Sequence, residues 1–223
     1  MSSIADHEAL LEVIKWIDEN LTGIELPTDE RSMLSAGCFD VSIEHQAAIA
    51  LLFSSGLYGS MFALLRVVTE SLVRGLWLLH CATDAELSQF KKGQVKKEFG
   101  TLIKEIENSI GISTPVLSNL KAIAWTAMNG FTHTGFNQVS RRHGEGSVGS
   151  NYPDDELNQA QSLTGALGLI AAVQLASLAN LPDLIQDTMQ RMQIYAKRES
   201  NSLSLTGRAT GYNFNIPFRY THL

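Results

Sequence analysis

Arg66, Glu70 and Arg74 recur at every fourth position. On a helix they rise along one face, about one turn apart. A carboxylate between two guanidiniums can balance charge within the chain, or it can hold an arginine ready for an incoming anion. Their neighbours, Leu64, Leu65, Val67, Val68, Leu72, Val73, Leu76, Trp77, Leu78 and Leu79, are apolar around most of the helix. Such a helix should be largely buried, and buried charges must be paired. Glu70 could serve either arginine. Three readings stay open: a surface ladder worth a few tenths of a kcal/mol, a buried ion-pair network, or a ligand or catalytic site.

His133 is the second anchor, in Asn129-Gly130-Phe131-Thr132-His133-Thr134-Gly135 at an expected helix end. An imidazole there could transfer protons near neutral pH, or simply cap the last carbonyls. Asn129, one turn back, would share its face. Arg141 and Arg142, followed by His143, sit in a polar run and could catch a phosphate or carboxylate, or could be solvated surface. The ligand-binding candidates are therefore Arg66, Glu70, Asn129, Arg141 and Arg142. The catalytic candidates are Arg74, His80 and His133.

Other chemistries lack their signatures. The chain has no GxxxxGK[ST] loop, no GxGxxG opening a helix after a strand, no GxSxG and no HExxH. Gly144-Glu145-Gly146-Ser147-Val148-Gly149 has neither a strand before it nor a helix after it. Glu44-His45 is an isolated pair. Cys38 and Cys81 lie far apart in apolar surroundings, which suggests small core residues rather than a disulfide or zinc site. No cofactor or metal is expected. A formal net charge of −6 argues against a surface that holds nucleic acid mainly by electrostatics, and no basic recognition helix stands out, so there is no strong DNA-binding signal. The first residues, Met1-Ser2-Ser3-Ile4-Ala5-Asp6, show no secretory pattern, so a cytoplasmic location is expected.

These residues must be positioned by helices, because 3.6-residue patterning recurs throughout. The first is expected over 6–22 and stopped by Gly23. Pro27-Thr28-Asp29-Glu30 opens the next, with a break near Gly37 and an end at Ser55-Gly56. Residues 58–82 form the apolar helix of the charge ladder. Thr83-Asp84-Ala85-Glu86 reads as a capping box. An amphipathic helix follows over 95–110, and Thr114-Pro115 starts another that ends near His133. Residues 135–152 form a long polar loop. The segment Leu163 to Leu181 approaches membrane-spanning length, but it holds Gln174, Ser177 and Asn180 among many small residues, which suits a buried central helix that its neighbours can approach closely. Pro182 opens the last helix, expected to end near Arg198-Glu199.

The block Glu70-Ser71-Leu72-Val73-Arg74-Gly75-Leu76-Trp77-Leu78-Leu79, with Arg66-x3-Glu70 before it and Phe131-Thr132-His133-Thr134-Gly135 after it, resembles uncharacterised bacterial all-helical families of unknown function. The likeness covers roughly residues 40–180. More distantly, Arg74-Gly75-Leu76-Trp77-Leu78-Leu79-His80 is similar to the Arg-x4–6-His motif of the HEPN superfamily, small helical proteins often found in toxin–antitoxin and phage-defence systems. Gly75 stands where active members usually carry a polar residue. That resemblance implies metal-independent RNA cleavage, with His80 or His133 moving protons, Arg74 stabilising the phosphorane charge, and two subunits pooling their motifs. On a regular helix Arg74 and His80 would point about 240° apart, so the pair needs a helix end or bend near Cys81.

The expectation is an all-α, single-domain irregular bundle of about seven helices over 1–199, with a loop-rich insertion and an extended tail over 200–223. A homodimer is expected from the apolar surface such helices leave. The expected function is a ligand- or partner-binding module in bacterial stress or phage defence, taking a small anionic ligand. The alternative is a HEPN-like ribonuclease toxin acting on RNA. No membrane role is expected.

Overall fold

Asp29 caps the helix that follows it. Its carboxylate accepts from the Ser32 backbone N–H at 3.0 Å, and bonds to Ser32 hold it below the usual carboxylate range. In a computed structural model describing residues 2–111, 115–144 and 146–206, the helices are α1 (Ser2–Leu21), α2 (Glu30–Ser54), α3 (Tyr58–His80), α4 (Asp84–Lys91), α5 (Phe99–Ile110), α6 (Val116–Thr132), α7 (Phe136–Ser140), α8 (Asp154–Leu178) and α9 (Pro182–Thr206). The strands β1 (His143–Gly144) and β2 (Ser147–Val148) pair antiparallel, with His143 opposite Val148. The molecule is all-α, as expected.

Several boundaries differ from expectation. Nine helices stand among the described residues rather than about seven. α2 runs unbroken through Gly37, because Phe39 and Ser42 on its inner face are fully buried and hold the turn that glycine alone would weaken. The stretch expected as structureless loop contains α7 and the β1–β2 hairpin. α9 continues to Thr206, past the expected end at 199, and the rest of the expected tail, 207–223, lies outside the described residues. The Thr83 cap holds: its hydroxyl accepts from the Glu86 N–H, and Glu86 reaches back to the Thr83 N–H at 2.8 Å.

α3 is the spine. It buries Met61, Leu65, Val68, Leu72, Val73, Leu76, Trp77 and Leu78. α2 packs along one side, and α5 and α6 along another. α8 crosses beneath and also meets α1, α2 and α9. It is long and apolar enough to cross a membrane, yet most of that apolar stretch is buried inside the bundle. Its small residues explain how. A Cβ at Gly168 would lie 2.1 Å from the Gln46 side chain, and one at Gly165 would lie 2.2 Å from the Tyr195 hydroxyl. Only glycine lets α2 and α9 come this close.

The far end of α3 is locked by charge. The buried Trp77 indole donates to Glu105 at 2.6 Å, and Lys97 joins Glu105 to Glu86 while lying 5.0 Å from the Trp77 ring centre. Arg31 of α2 donates to the carbonyls of Leu78 and Ala82, closing the C-terminus of α3.

Candidate functional site

The two ends of the expected constellation meet. α6 runs antiparallel to α3, with Phe62 stacked on Phe131 at 4.5 Å between ring centres. The Thr132 hydroxyl contacts the Ala63 carbonyl at 3.2 Å. This register brings Arg66 over the α6 face formed by Trp125, Asn129 and His133, which recur at every fourth position.

Arg66 is held on three sides. Its Nε and Nη2 donate to Oε1 of Glu70 at 3.0 and 2.9 Å. Its guanidinium carbon lies 5.2 Å from the centre of the Trp125 ring. Its Nη1 lies 2.6 Å from Nε2 of His133. A guanidinium only donates, so Nε2 accepts and the imidazole proton sits on Nδ1. Trp125 is fixed in turn by Phe99 of α5, stacked at 3.9 Å. The side chains of Arg66 and Glu70 are 23% and 26% exposed, so the pair is neither a free surface ladder nor a closed core network.

Of the five N–H groups on Arg66, three are committed, one each in the bonds above. Two remain for another acceptor. His133 is exposed and offers Nδ1. The side-chain oxygen of Asn129 is buried with no hydrogen bond among the described residues. A fixed cation and an imidazole N–H on one face can recognise a carboxylate or phosphate, whereas the buried Asn129 oxygen is an acceptor and takes no part in holding an anion.

The backbone that presents His133 is unusual. His133 N–H closes the helix on Asn129 O, and Gly135 N–H returns to Gly130 O at 2.7 Å. Between them Thr134 has φ +54°, the left-handed region where a β-branched residue is strained. Gly135 is required by proximity, since a Cβ there would lie 3.1 Å from Gly130 Cα.

The other candidates do not join this site. Among the described residues Glu70 pairs with Arg66 and not with Arg74, whereas either arginine was expected to claim it. Arg74 makes no hydrogen bond or ion pair among the described residues. Burial pushes the Cys38 thiol up to about 11, with Arg74 acting in the other direction. His80 is exposed, and its Nε2 lies 3.2 Å from Oε1 of Gln174 on α8. No hydrogen bond links Arg74 to His80 among the described residues, because α3 stays regular to His80 and points them apart. Arg141 is committed to Glu156, its Nε donating at 2.9 Å, and that bond raises its pKa further. Arg142 is exposed and lies near Tyr152, whose hydroxyl pKa burial raises. Trp125 and Phe99 were missed by reasoning from charged residues. The spacing Trp125-x3-Asn129-x3-His133 was the signal that could have found Trp125. No group of three or more His, Cys, Asp or Glu is placed to hold a metal among the described residues.

A family model of unknown function, DUF6988, matches residues 39–198, and the chain belongs to that family. The matched span contains every residue of the Arg66–His133 site. No curated protein and no solved structure matches the chain.

Proposed function

We propose, with membership of a family that carries no assigned activity as the premise, that this chain is a helical binding module whose Arg66–His133 face takes an anionic group. The ligand would be a small carboxylate or phosphate compound, or a partner carrying one. The observation behind the reading is the immobilised Arg66 guanidinium, gripped by Glu70 and Trp125, with one corner on the exposed His133. Holding the cation in advance lowers the ordering cost of binding. Because Glu70 neutralises Arg66, selectivity would come from donor geometry more than from net charge. A role in bacterial stress or phage defence is our inference from the resemblance to helical families of that kind.

The test is thermal denaturation of the full chain with inorganic phosphate, citrate or a short single-stranded RNA. At least one should raise the melting temperature, and His133→Ala, altering an exposed side chain, should remove the gain without lowering the unliganded melting temperature by more than a degree or two. No gain with any probe, or an equal gain in His133→Ala, refutes the reading. Cleavage of the RNA that is lost in His133→Ala would replace it with the ribonuclease reading.

A further inference from the structure

His7 of α1, Ser54 of α2 and Gln161 of α8 form a hydrogen-bonded row away from Arg66. Nδ1 of His7 lies 2.9 Å from Oε1 of Gln161, and Nε2 lies 2.8 Å from Oγ of Ser54. Both ring nitrogens are engaged, so the partners decide the tautomer. The other end of the Gln161 amide donates to the Leu157 carbonyl at 3.4 Å, which turns Oε1 towards the imidazole. An amide oxygen only accepts. Nδ1 therefore carries the proton, and Nε2 keeps its lone pair towards Ser54.

Ser54 ends α2 and is exposed, whereas Gln161 is fully buried. The Ser54 hydroxyl proton has two acceptors in reach, the Ala50 carbonyl at 3.1 Å and His7 Nε2 at 2.8 Å. The imidazole is the closer, and in this tautomer its Nε2 can only accept. The His7 ring packs on Phe53, 4.6 Å between ring centres, and Phe53 lies 5.5 Å from the ring of Tyr58. A solvent-facing hydroxyl thus meets a lone pair whose direction is fixed by a buried amide and an aromatic neighbour. A base within hydrogen-bond reach of a hydroxyl, itself oriented by a third group, is the arrangement that activates a weak nucleophile.

We propose that Ser54 is a nucleophile that takes acyl groups from small carboxylic esters, with His7 as its general base and Gln161 as a positioning residue. Ser54 Oγ attacks the ester carbonyl carbon while its proton passes to His7 Nε2. The tetrahedral adduct breaks its bond to the leaving oxygen, which departs as the alcohol with that proton. Water then attacks the acyl-serine and gives a proton to His7. The carboxylic acid is released as His7 returns the proton to Ser54 Oγ. Phe53 and Tyr58 offer an apolar surface beside the serine for the acyl chain. Ser54 and Gln161 lie within the span matched to the family and His7 precedes it, so the activity needs α1. It does not depend on an anion binding at His133.

The test exposes the full chain to a fluorophosphonate, which phosphonylates activated serines, and maps the modified residue by peptide mass spectrometry. An adduct on Ser54 is expected, with release of nitrophenol from p-nitrophenyl acetate. Ser54→Ala, which alters an exposed side chain, should abolish the adduct and bring the release to background. His7→Gln should slow both about a hundredfold or more with an unchanged helical circular dichroism spectrum. Nitrogen NMR of the wild type should show His7 protonated on Nδ1. Gln161→Leu should lose that tautomer and slow the labelling, and Gln161→Glu, which keeps an acceptor, should restore both. No adduct on Ser54, labelling indifferent to His7→Gln, nitrophenol release equal in Ser54→Ala, or a wild-type His7 protonated on Nε2 overturns the proposal.

Discussion

Removing Arg66 and Glu70 singly and together separates a held cation from two side chains that merely lie close. Two hydrogen bonds to one carboxylate oxygen join them, with side chains 23% and 26% exposed. A freely exposed i,i+4 pair contributes about 0.3–0.5 kcal/mol, and breaking a fully buried one costs roughly 3–5 kcal/mol. Residues three-quarters covered should fall between, with a coupling energy of about 1–1.5 kcal/mol. Arg66→Ala also loses the Trp125 contact and the packing of its stem, so it should cost about 2–3 kcal/mol. Glu70→Ala should cost less, about 1–2 kcal/mol, because Arg66 keeps Trp125 and reaches water. Urea denaturation of wild type, both single variants and the double variant gives the coupling directly. For a domain of this size each kcal/mol moves the melting temperature by about 2–4 °C, so the effects are measurable. A coupling energy under about 0.3 kcal/mol would refute the claim that Glu70 fixes Arg66, and with it the case for a pre-positioned site.

Gly168→Ala should destabilise by about 1–3 kcal/mol despite better helix propensity, because the new Cβ would collide with the fully buried Gln46, which bonds Thr164 O at 3.2 Å; an unchanged urea midpoint would refute the close approach of α2 and α8. Thr134→Gly should relieve the left-handed strain and stabilise the fold by about 0.5–1 kcal/mol, again by urea midpoint, while loosening the presentation of His133. Hydrogen bonds from Lys97 and Thr83 hold Glu86 below the usual carboxylate range. Its contribution is thus complete above its unfolded pKa and disappears as pH falls through the lower folded value. Burial opposes the shift on Lys97, but its bonds to Glu105 and Glu86 raise its pKa overall, so that contribution is complete below its unfolded pKa and fades as pH rises through the higher folded value. The melting-temperature gap between wild type and Glu86→Gln should accordingly be widest near neutrality and narrow towards both extremes.

What the sequence makes legible is whatever one helix decides by itself. The Thr83–Glu86 box, the Asp29 turn and the Arg66–Glu70 pair are separations of three or four residues, and each forms as its spacing dictates. The small residues of α8 were legible too, since a long apolar helix with Gly165 and Gly168 has few uses except close packing. What was hidden depends on which neighbour arrives. Glu70 stands one turn from both Arg66 and Arg74, and spacing cannot choose between them. The choice is made by Trp125 and His133, which draw Arg66 onto α6 and with it the Glu70 carboxylate. The ladder therefore splits along the surface of α3. Its first arginine enters a site shared with α6, and its last stays outside that site. A pattern that looks like one motif in sequence is thus divided between its two ends, and Arg66→Ala should lower both stability and anion binding, whereas Arg74→Ala should leave anion binding unchanged.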